Sequence, residues 1–159
     1  MNAARSPQVP ERTAQLIGQL VAEFAYRVDV LGGVTVAEMF CEDGYYESDG
    51  QRSTGRAAIR AAYELRADRG PRTSRHLFTN LRIFHDDGGG FRGTSIMLLF
   101  AHDGNGVHPA QPILVADVDD EYVLSEAGEP EIRSRRLTTV FVDPVNKPVF
   151  PFGHKVSGL

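Results

Sequence analysis

The stretch RHLFTNLRIF, at residues 75–84, is the first of four long runs whose composition predicts β-strands. The other three are residues 91–102, 112–125 and 131–142. The segments between the runs contain the glycine, proline, asparagine and aspartate residues that are typical of turns. Strands joined in succession predict an antiparallel meander, and apolar residues on much of both faces mean that both faces must be covered.

Three helices are predicted ahead of this meander. Residues 13–31 carry apolar side chains at helical spacing, and the glycine pair that follows ends the pattern. Residues 34–41 suit a short second helix, and a third is predicted over residues 55–70. Between these two, residues 45–54 are predicted as a small hairpin. The order of elements predicts an α+β fold, with a single curved sheet wrapped on the long helix.

Length and composition fit one globular domain over residues 1–159, with a core at about 12–143 and a proline-rich tail at 144–159. The hydrophobic fraction is 42% and the charged fraction 24%, as in ordinary folded domains. The net charge is −4, and lysine and arginine are not clustered. Nucleic acid is therefore not an expected partner.

Cysteine usage and hydropathy bear on the cellular compartment. Cys41 is the only cysteine, which excludes an intrachain disulfide and a thiolate cage for zinc. The chain has no run of about 18 apolar residues, and its first twelve residues lack an apolar stretch. We expect a cytoplasmic protein with no membrane span, no metal and no cofactor.

Two motif-like patterns have simpler interpretations. GGGFRG at residues 88–93 has the glycine spacing of a dinucleotide-binding loop, but it joins two strands and is predicted to be a hairpin turn. His102, Asp103, Asn105 and His108 lie in a glycine-rich loop without ligand periodicity. Solvated loop residues are therefore favoured over a metal site.

Two titratable residues are candidates for chemistry. Asp29 lies at the last turn of the first helix, where the helix dipole opposes its charge unless a cation or donor compensates. In the run 75–84, His76, Phe78 and Asn80 are predicted to share one strand face. The residues alone leave two simpler readings open: a solvated helix-end carboxylate, and a hydrogen-bonded core or surface histidine.

The whole pattern resembles the SnoaL-like branch of the nuclear transport factor 2-like superfamily over residues 14–141. The resembling stretches are FAYRVD, MFCEDGYYESDGQRSTGRAAIR, SRHLFTNLRI, DEYV and IRSRRLTTVF. The resemblance implies a cone-shaped α+β barrel, in which three N-terminal helices pack on a curved mixed or antiparallel sheet that encloses a pocket. The spacing of the VD aspartate and the RHLFTN histidine is similar to scytalone dehydratase and still more to hexachlorocyclohexane dehydrochlorinase.

The same resemblance implies an Asp–His dyad formed by Asp29 and His76. In such a dyad the aspartate fixes the imidazole tautomer, and the other ring nitrogen removes a proton. Arg135 matches the arginine that attends the leaving group, and Tyr46 is a candidate hydrogen-bond donor. The residues predicted to line the substrate pocket are Phe24, Phe40, Tyr46, Phe78, Asn80, Met97, Leu99, Leu114 and Val118.

Phe24 departs from the pattern of these relatives. Five residues before the aspartate, they often carry a tyrosine or lysine that reaches into the pocket. The phenylalanine removes that donor, so we expect a less oxygenated and more hydrophobic ligand.

The leading functional hypothesis is a cofactor-free lyase of dehydratase type, acting on a small, hydrophobic, cyclic molecule. His76 is its general base, and Arg135 stabilises the departing oxygen or halide. An isomerase or polyketide-type cyclase is the alternative that uses the same base, with an oxyanion donor such as Tyr46 or Asn80.

A third hypothesis needs no catalysis: a ligand-binding module, or the small subunit of a ring-hydroxylating dioxygenase. In that case Phe24, Tyr46 and Phe78 would fill the pocket. For all three, the uncovered sheet face predicts a homodimer, with a trimer as the alternative because the dehydratase-like relatives assemble that way.

Overall fold

The computed structural model describes residues 8–146, and these form two α-helices, a 3₁₀-helix and one six-stranded sheet. Helix α1 spans Glu11–Asp29, helix α2 spans Arg56–Ala67, and the 3₁₀-helix spans Val34–Met39. The strands are β1 (Phe40–Ser48), β2 (Gln51–Thr54), β3 (Arg72–His85), β4 (Phe91–Asp103), β5 (Leu114–Leu124) and β6 (Pro130–Val142). Of the tail at 144–159, residues 147–159 lie outside the described part.

The sheet is mixed, with the strand order β2-β1-β6-β5-β4-β3. Strands β3 to β6 form the antiparallel meander, and β1 closes onto β6 in parallel. Three helical segments and a curved open sheet confirm the predicted α+β fold. Glycine-rich residues 88–90 lie in the turn between β3 and β4, as predicted, and do not open a helix.

Strand β1 begins five residues earlier than predicted, and the second helix ends two residues earlier, at Met39. Phe40 has an extended backbone (φ −94°, ψ 155°) and pairs with Ile132 of β6. A parallel partner 92 positions away in the sequence (132 minus 40) supplies this strand start. Local apolar spacing, which suggested a helix through residue 41, contains no information about that partner.

The core lies between α1 and one face of the sheet, which we call the inner face. Helix α1 buries Ile17, Val21, Phe24 and Val28, at the spacing expected for an amphipathic helix. Strand β5 alternates buried and partly exposed residues, as expected for a strand with one covered face. The opposite, outer face carries Leu77 of β3, a large apolar side chain that is 46% exposed.

The turn after α1 fixes where that helix ends. Gly33 adopts a positive φ of 86°, and its N–H donates to the Arg27 carbonyl at 2.9 Å. The ring of Tyr63 from α2 lies directly against Gly33, and a β-carbon there would overlap it. Glycine is therefore required on two grounds, and the turn leaves Asp29 at the helix end beside β3.

Within residues 8–146, no helix is both long and apolar enough to cross a membrane.

Candidate functional site

Asp29, the last residue of α1, binds β3 through both carboxylate oxygens. Its Oδ1 lies 2.7 Å from Nδ1 of His76 and accepts the Ser74 hydroxyl at 2.7 Å. Its Oδ2 accepts the backbone N–H of His76, also at 2.7 Å. The side chains of Asp29 and His76 are 6% and 14% exposed. The structure thus brings together the two residues predicted to form the dyad, and Ser74 adds a third anchor.

The surroundings of Asp29 set the roles of the two imidazole nitrogens. Burial raises its pKa, but hydrogen bonds from His76 and Ser74, together with the nearby imidazole, outweigh burial and hold the pKa below the ordinary value. An ionised carboxylate only accepts hydrogen bonds, so Nδ1 of His76 carries the hydrogen of this contact. In the neutral ring Nε2 is then the basic nitrogen, and no described residue hydrogen-bonds to it.

A second buried carboxylate lies deeper in the core. Asp120 of β5 accepts Nε and Nη2 of Arg135 from β6 at 2.9 and 2.7 Å, and the Tyr122 hydroxyl at 2.6 Å. The ring of Tyr122 lies over Gly93 of β4, where a β-carbon would come within 2.8 Å of it. Burial lowers the pKa of Arg135, but the carboxylate beside it outweighs burial and raises the pKa, so the guanidinium stays charged.

An aromatic cluster connects the two carboxylate sites. The Phe24 ring lies 4.0 Å from the guanidinium carbon of Arg135, and the Phe78 ring lies 4.9 Å from it. Phe24 also contacts Phe78 edge-on at 6.0 Å and stacks with Tyr46 at 6.3 Å. Tyr46 is opposite Arg135 in the β1–β6 register and contacts Phe40 at 6.4 Å. Burial above all raises the pKa of Tyr46, so its hydroxyl keeps its proton.

The predicted wall residues are buried on this side of the sheet. They are Phe40, Met97, Leu99, Leu114 and Val118. Met97 is opposite Phe78 in the β3–β4 register, and Leu99 is opposite His76. The aliphatic wall is therefore directly beside the histidine and the aromatic cluster.

Asn80 does not join the site, and the prediction that it shares a face with His76 and Phe78 is wrong. Asn80 adopts a left-handed backbone (φ 56°), and the β3–β4 register shifts between Thr79 and Arg82. This β-bulge interrupts the two-residue alternation. Asn80 is exposed and lines a groove on the outer face with Arg82 and other residues of that face.

Sequence reasoning missed three residues of the site: Ser74, Asp120 and Tyr122. Asp120 had a detectable signal, because it interrupts an otherwise apolar strand face in DVDDEYV. Ser74 also had one, since it lies two residues before His76 and therefore on the same face. Tyr122 carried no such signal, because a tyrosine on that face reads as core.

A family model for the SnoaL-like domain matches residues 12–136. The chain belongs to this SnoaL-like domain family. No curated protein matches the chain. The family match agrees with the geometry, since the matched region begins in the first turn of α1 and includes the buried Arg135 of β6.

Solved structures support the same fold. ActVI-ORFA from Streptomyces coelicolor has a TM-score of 0.71 and 23% identity, covering 79% of this chain and 96% of that one. A Catenulispora acidiphila protein in complex with S-DNPA has a TM-score of 0.67 and 24% identity, covering 82% and 95%. An NTF2-like protein with a cystatin-like fold from Novosphingobium aromaticivorans has a TM-score of 0.66 and 20% identity, covering 84% and 86%. At these identities the likeness establishes the fold.

Proposed function

We propose that the chain is a cofactor-free lyase that removes a proton from a small, hydrophobic, cyclic molecule. The observation that carries the proposal is the threefold anchoring of Asp29, which holds the His76 imidazole with Nε2 available. A base is effective when its tautomer and orientation are fixed before substrate arrives. The structure of the Catenulispora protein in complex with S-DNPA supports ligand binding by this fold.

In the proposed elimination, Nε2 of His76 takes a carbon-bound proton and the C–H electron pair becomes the new double bond. The bond to the leaving group breaks and its electrons leave with that group. For a dehydration, the imidazolium returns the proton to the departing oxygen, so the products are an alkene and water. Asp29 stabilises the imidazolium while it exists.

Arg135 is the group we assign to the leaving atom. Its guanidinium lies against Phe78, two residues along the same strand face from His76. A fixed donor aimed at developing negative charge is worth more in a water-excluded site than in solvent. The donor stays protonated because arginine does not lose its charge in proteins.

Isomerisation or cyclisation through an enolate is the second candidate, and the same buried donors favour it. Tyr46 is adjacent to Arg135 in register and keeps its proton. Either group stabilises an enolate oxygen if no leaving group is present. The two candidates share the first step and differ only in what the carbanion does next.

The test is proton exchange in deuterated water with a panel of cyclic and aromatic ketones and β-hydroxyketones. Mass spectrometry separates the outcomes: loss of water reports elimination, and deuterium uptake without loss of water reports an enolate. We expect His76→Gln to lower either rate by about 10²- to 10⁴-fold, the usual contribution of a general base. His85→Gln, the same substitution at an exposed position of β3, is the control and should leave the rate unchanged.

A non-catalytic ligand-binding module is favoured by one specific observation, the contact of Phe24 with both Tyr46 and Phe78. Three rings packed on one another reduce the space for a substrate. Ligand binding that survives His76→Gln, combined with no exchange or loss of water by the wild type, would establish the binding module and reject the lyase.

We also propose that the chain forms a homodimer through the outer face. Phe141 is opposite Val115 in the β5–β6 register and is 67% exposed, and Leu77 of β3 is nearly half exposed. Exposed apolar surface of this kind marks interaction sites. Light scattering at micromolar concentration should give about twice the chain mass of 17.5 kDa. A trimer mass would select the alternative, and a monomer mass would reject both.

A further inference from the structure

The buried arginine has one unpaired donor group. Both side chains of the Arg135–Asp120 pair are essentially inaccessible, at 0% and 2% exposure. Two nitrogens of the guanidinium, Nε and Nη2, bind the carboxylate side by side. The third nitrogen, Nη1, is buried and has no hydrogen-bond partner among the described residues.

The neighbours of the guanidinium restrict where a hydrogen-bond acceptor for Nη1 can lie. Asp120 occupies the Nε–Nη2 edge, which is one side of the planar group. The rings of Phe24 and Phe78 lie 4.0 and 4.9 Å from its central carbon. An aromatic ring attracts the cation but does not replace a hydrogen-bond acceptor for an N–H. A buried donor without an acceptor is costly, and a bound ligand that accepts from Nη1 removes that cost.

The charge of Arg135 is already compensated. Asp120 contributes one negative charge at hydrogen-bond distance, and the Tyr122 hydroxyl donates to the same carboxylate. Arg135 therefore offers a strongly polarised donor within a pair that is neutral overall. An anionic ligand would lose its hydration in this site without meeting an uncompensated positive charge, and that exchange is unfavourable. A neutral acceptor has little hydration to lose.

We infer that the site accepts neutral ring-containing molecules with a carbonyl or hydroxyl oxygen that accepts from Nη1 of Arg135, and that Asp120 determines this preference. The inference rests on the proposed function, because it names the substrate class of the same site. Asp120 is a specificity-determining residue that acts through Arg135. Rings suit the site because Phe24 and Phe78 provide apolar surface around the donor.

Two probes of nearly equal shape test the inference: 2-acetylnaphthalene, which is neutral, and 2-naphthoate, which is an anion at neutral pH. Calorimetry on the wild type should give at least tenfold tighter binding of the ketone. Asp120→Asn leaves the arginine charge uncompensated, so it should shift the ratio of the two affinities at least tenfold toward the carboxylate. Asp119→Asn is the matched control, because it removes the same charge from the adjacent residue, which pairs with Arg92 at the surface. It should leave the ratio within a factor of two.

Equal wild-type affinities, tighter binding of the carboxylate, or binding of neither probe would overturn the inference, as would equal shifts in the two variants. If Asp120→Asn does not fold, guanidinium NMR of the wild type replaces it. The Arg135 signals should then move on addition of the ketone, and unmoved signals would overturn the inference.

This experiment can fail independently of the test of the proposed function, because the preference for the ketone over the carboxylate should persist in the His76→Gln variant. Ketone preference without His76-dependent exchange rejects the lyase alone. Exchange without ketone preference rejects the inference alone.

Discussion

The molecule contains two buried carboxylates that differ in their partners. Asp29 ends a helix and binds an imidazole whose second nitrogen has no described partner. Asp120 lies within a strand and binds a guanidinium on two of its nitrogens. Histidine changes its protonation near neutral pH, whereas arginine does not.

Because of this difference, the Asp29–His76 pair suits proton transfer, whereas the Asp120–Arg135 pair suits a role as fixed charges. The Asp29 pair is slightly open, with the His76 side chain 14% exposed. The Asp120 pair is fully buried, and among the described residues only Nη1 of its guanidinium lacks a hydrogen-bond partner. The first pair suits a general base, and the second suits an electrostatic support that does not titrate.

Removing the second carboxylate should have the largest effect on stability. Asp120→Ala leaves the guanidinium of Arg135 buried without its counter-ion, and breaking a buried pair from one side typically costs about 3–5 kcal/mol. We expect a loss of this size in the free energy of unfolding, measured by urea denaturation.

Asp119→Ala is the control for that measurement. Asp119 pairs with Arg92 and Arg136 but is 35% exposed, and partly exposed pairs contribute about 0–1 kcal/mol. Equal losses in the two variants would contradict the difference in burial on which the comparison rests.

Asp29→Asn should have the next largest effect on the free energy of unfolding. The amide has only one acceptor atom, and its NH₂ group would face either the His76 backbone N–H or the pair formed by Ser74 and Nδ1. Loss of such bonds costs about 1–3 kcal/mol in the free energy of unfolding. Long-range ¹⁵N NMR of the imidazole should also show that the wild type carries its hydrogen on Nδ1 and that the variant does not hold this tautomer.

Ser74→Ala calibrates that experiment, since it removes one donor and keeps the carboxylate. We expect a smaller loss of about 0.5–1.5 kcal/mol with the tautomer unchanged. A variant of Asp29 with wild-type stability and an unchanged ¹⁵N spectrum would remove the basis for treating Asp29 as the orienting group.

The pH dependence of stability should show the contribution of the Asp29 charge. Its pKa is lower in the folded chain than the ordinary value of about 3.9 for an unfolded aspartate. The charged form therefore contributes stability that is fully present above about pH 5 and is lost as the pH falls through the folded-state pKa. The stability difference between the wild type and Asp29→Asn should be constant from about pH 5 to 7 and narrow below about pH 4. A difference that grows toward low pH would contradict the sign of the pKa shift.

Sequence patterns predicted the fold well because they are local. The helix at 13–31 and the strand runs were readable from apolar spacing and turn residues, and the structure places them within a few residues. The residues alone made His76 a candidate partner for Asp29, but the assignment of a dyad came from the family resemblance, because sequence patterns 47 residues apart (76 minus 29) do not show a contact.

Two errors show where local patterns fail. Asn80 was assigned to the inner face by strict alternation, and its left-handed backbone breaks that alternation at one point. Asp120 was passed over because a single strand does not show its partner. Only the β5–β6 register places it opposite Arg135 and shows which cation compensates a carboxylate on that apolar face.

Phe24→Tyr should have the smallest effect on the free energy of unfolding. It tests the role of the Phe24 ring, which connects the Asp29 and Asp120 sites. The Phe24 side chain is buried, with its ring 4.0 Å from the guanidinium carbon of Arg135. A tyrosine ring preserves the cation–π contact, and we expect the added hydroxyl to accept from Nη1 of Arg135, which has no partner among the described residues. We expect a change of less than about 1 kcal/mol in the free energy of unfolding, measured by urea denaturation. We also expect affinity to shift from 2-acetylnaphthalene toward a ring-hydroxylated analogue.

Phe40→Tyr provides the contrast, because Phe40 is equally buried and no arginine of residues 8–146 lies against its ring. The added hydroxyl overpacks an apolar site there and should cost about 1–3 kcal/mol. A loss of several kcal/mol from Phe24→Tyr would instead make Phe24 a packing residue that does not affect ligand choice. The two sites would then be joined by core packing alone, and the missing donor at position 24 would no longer bear on the substrate.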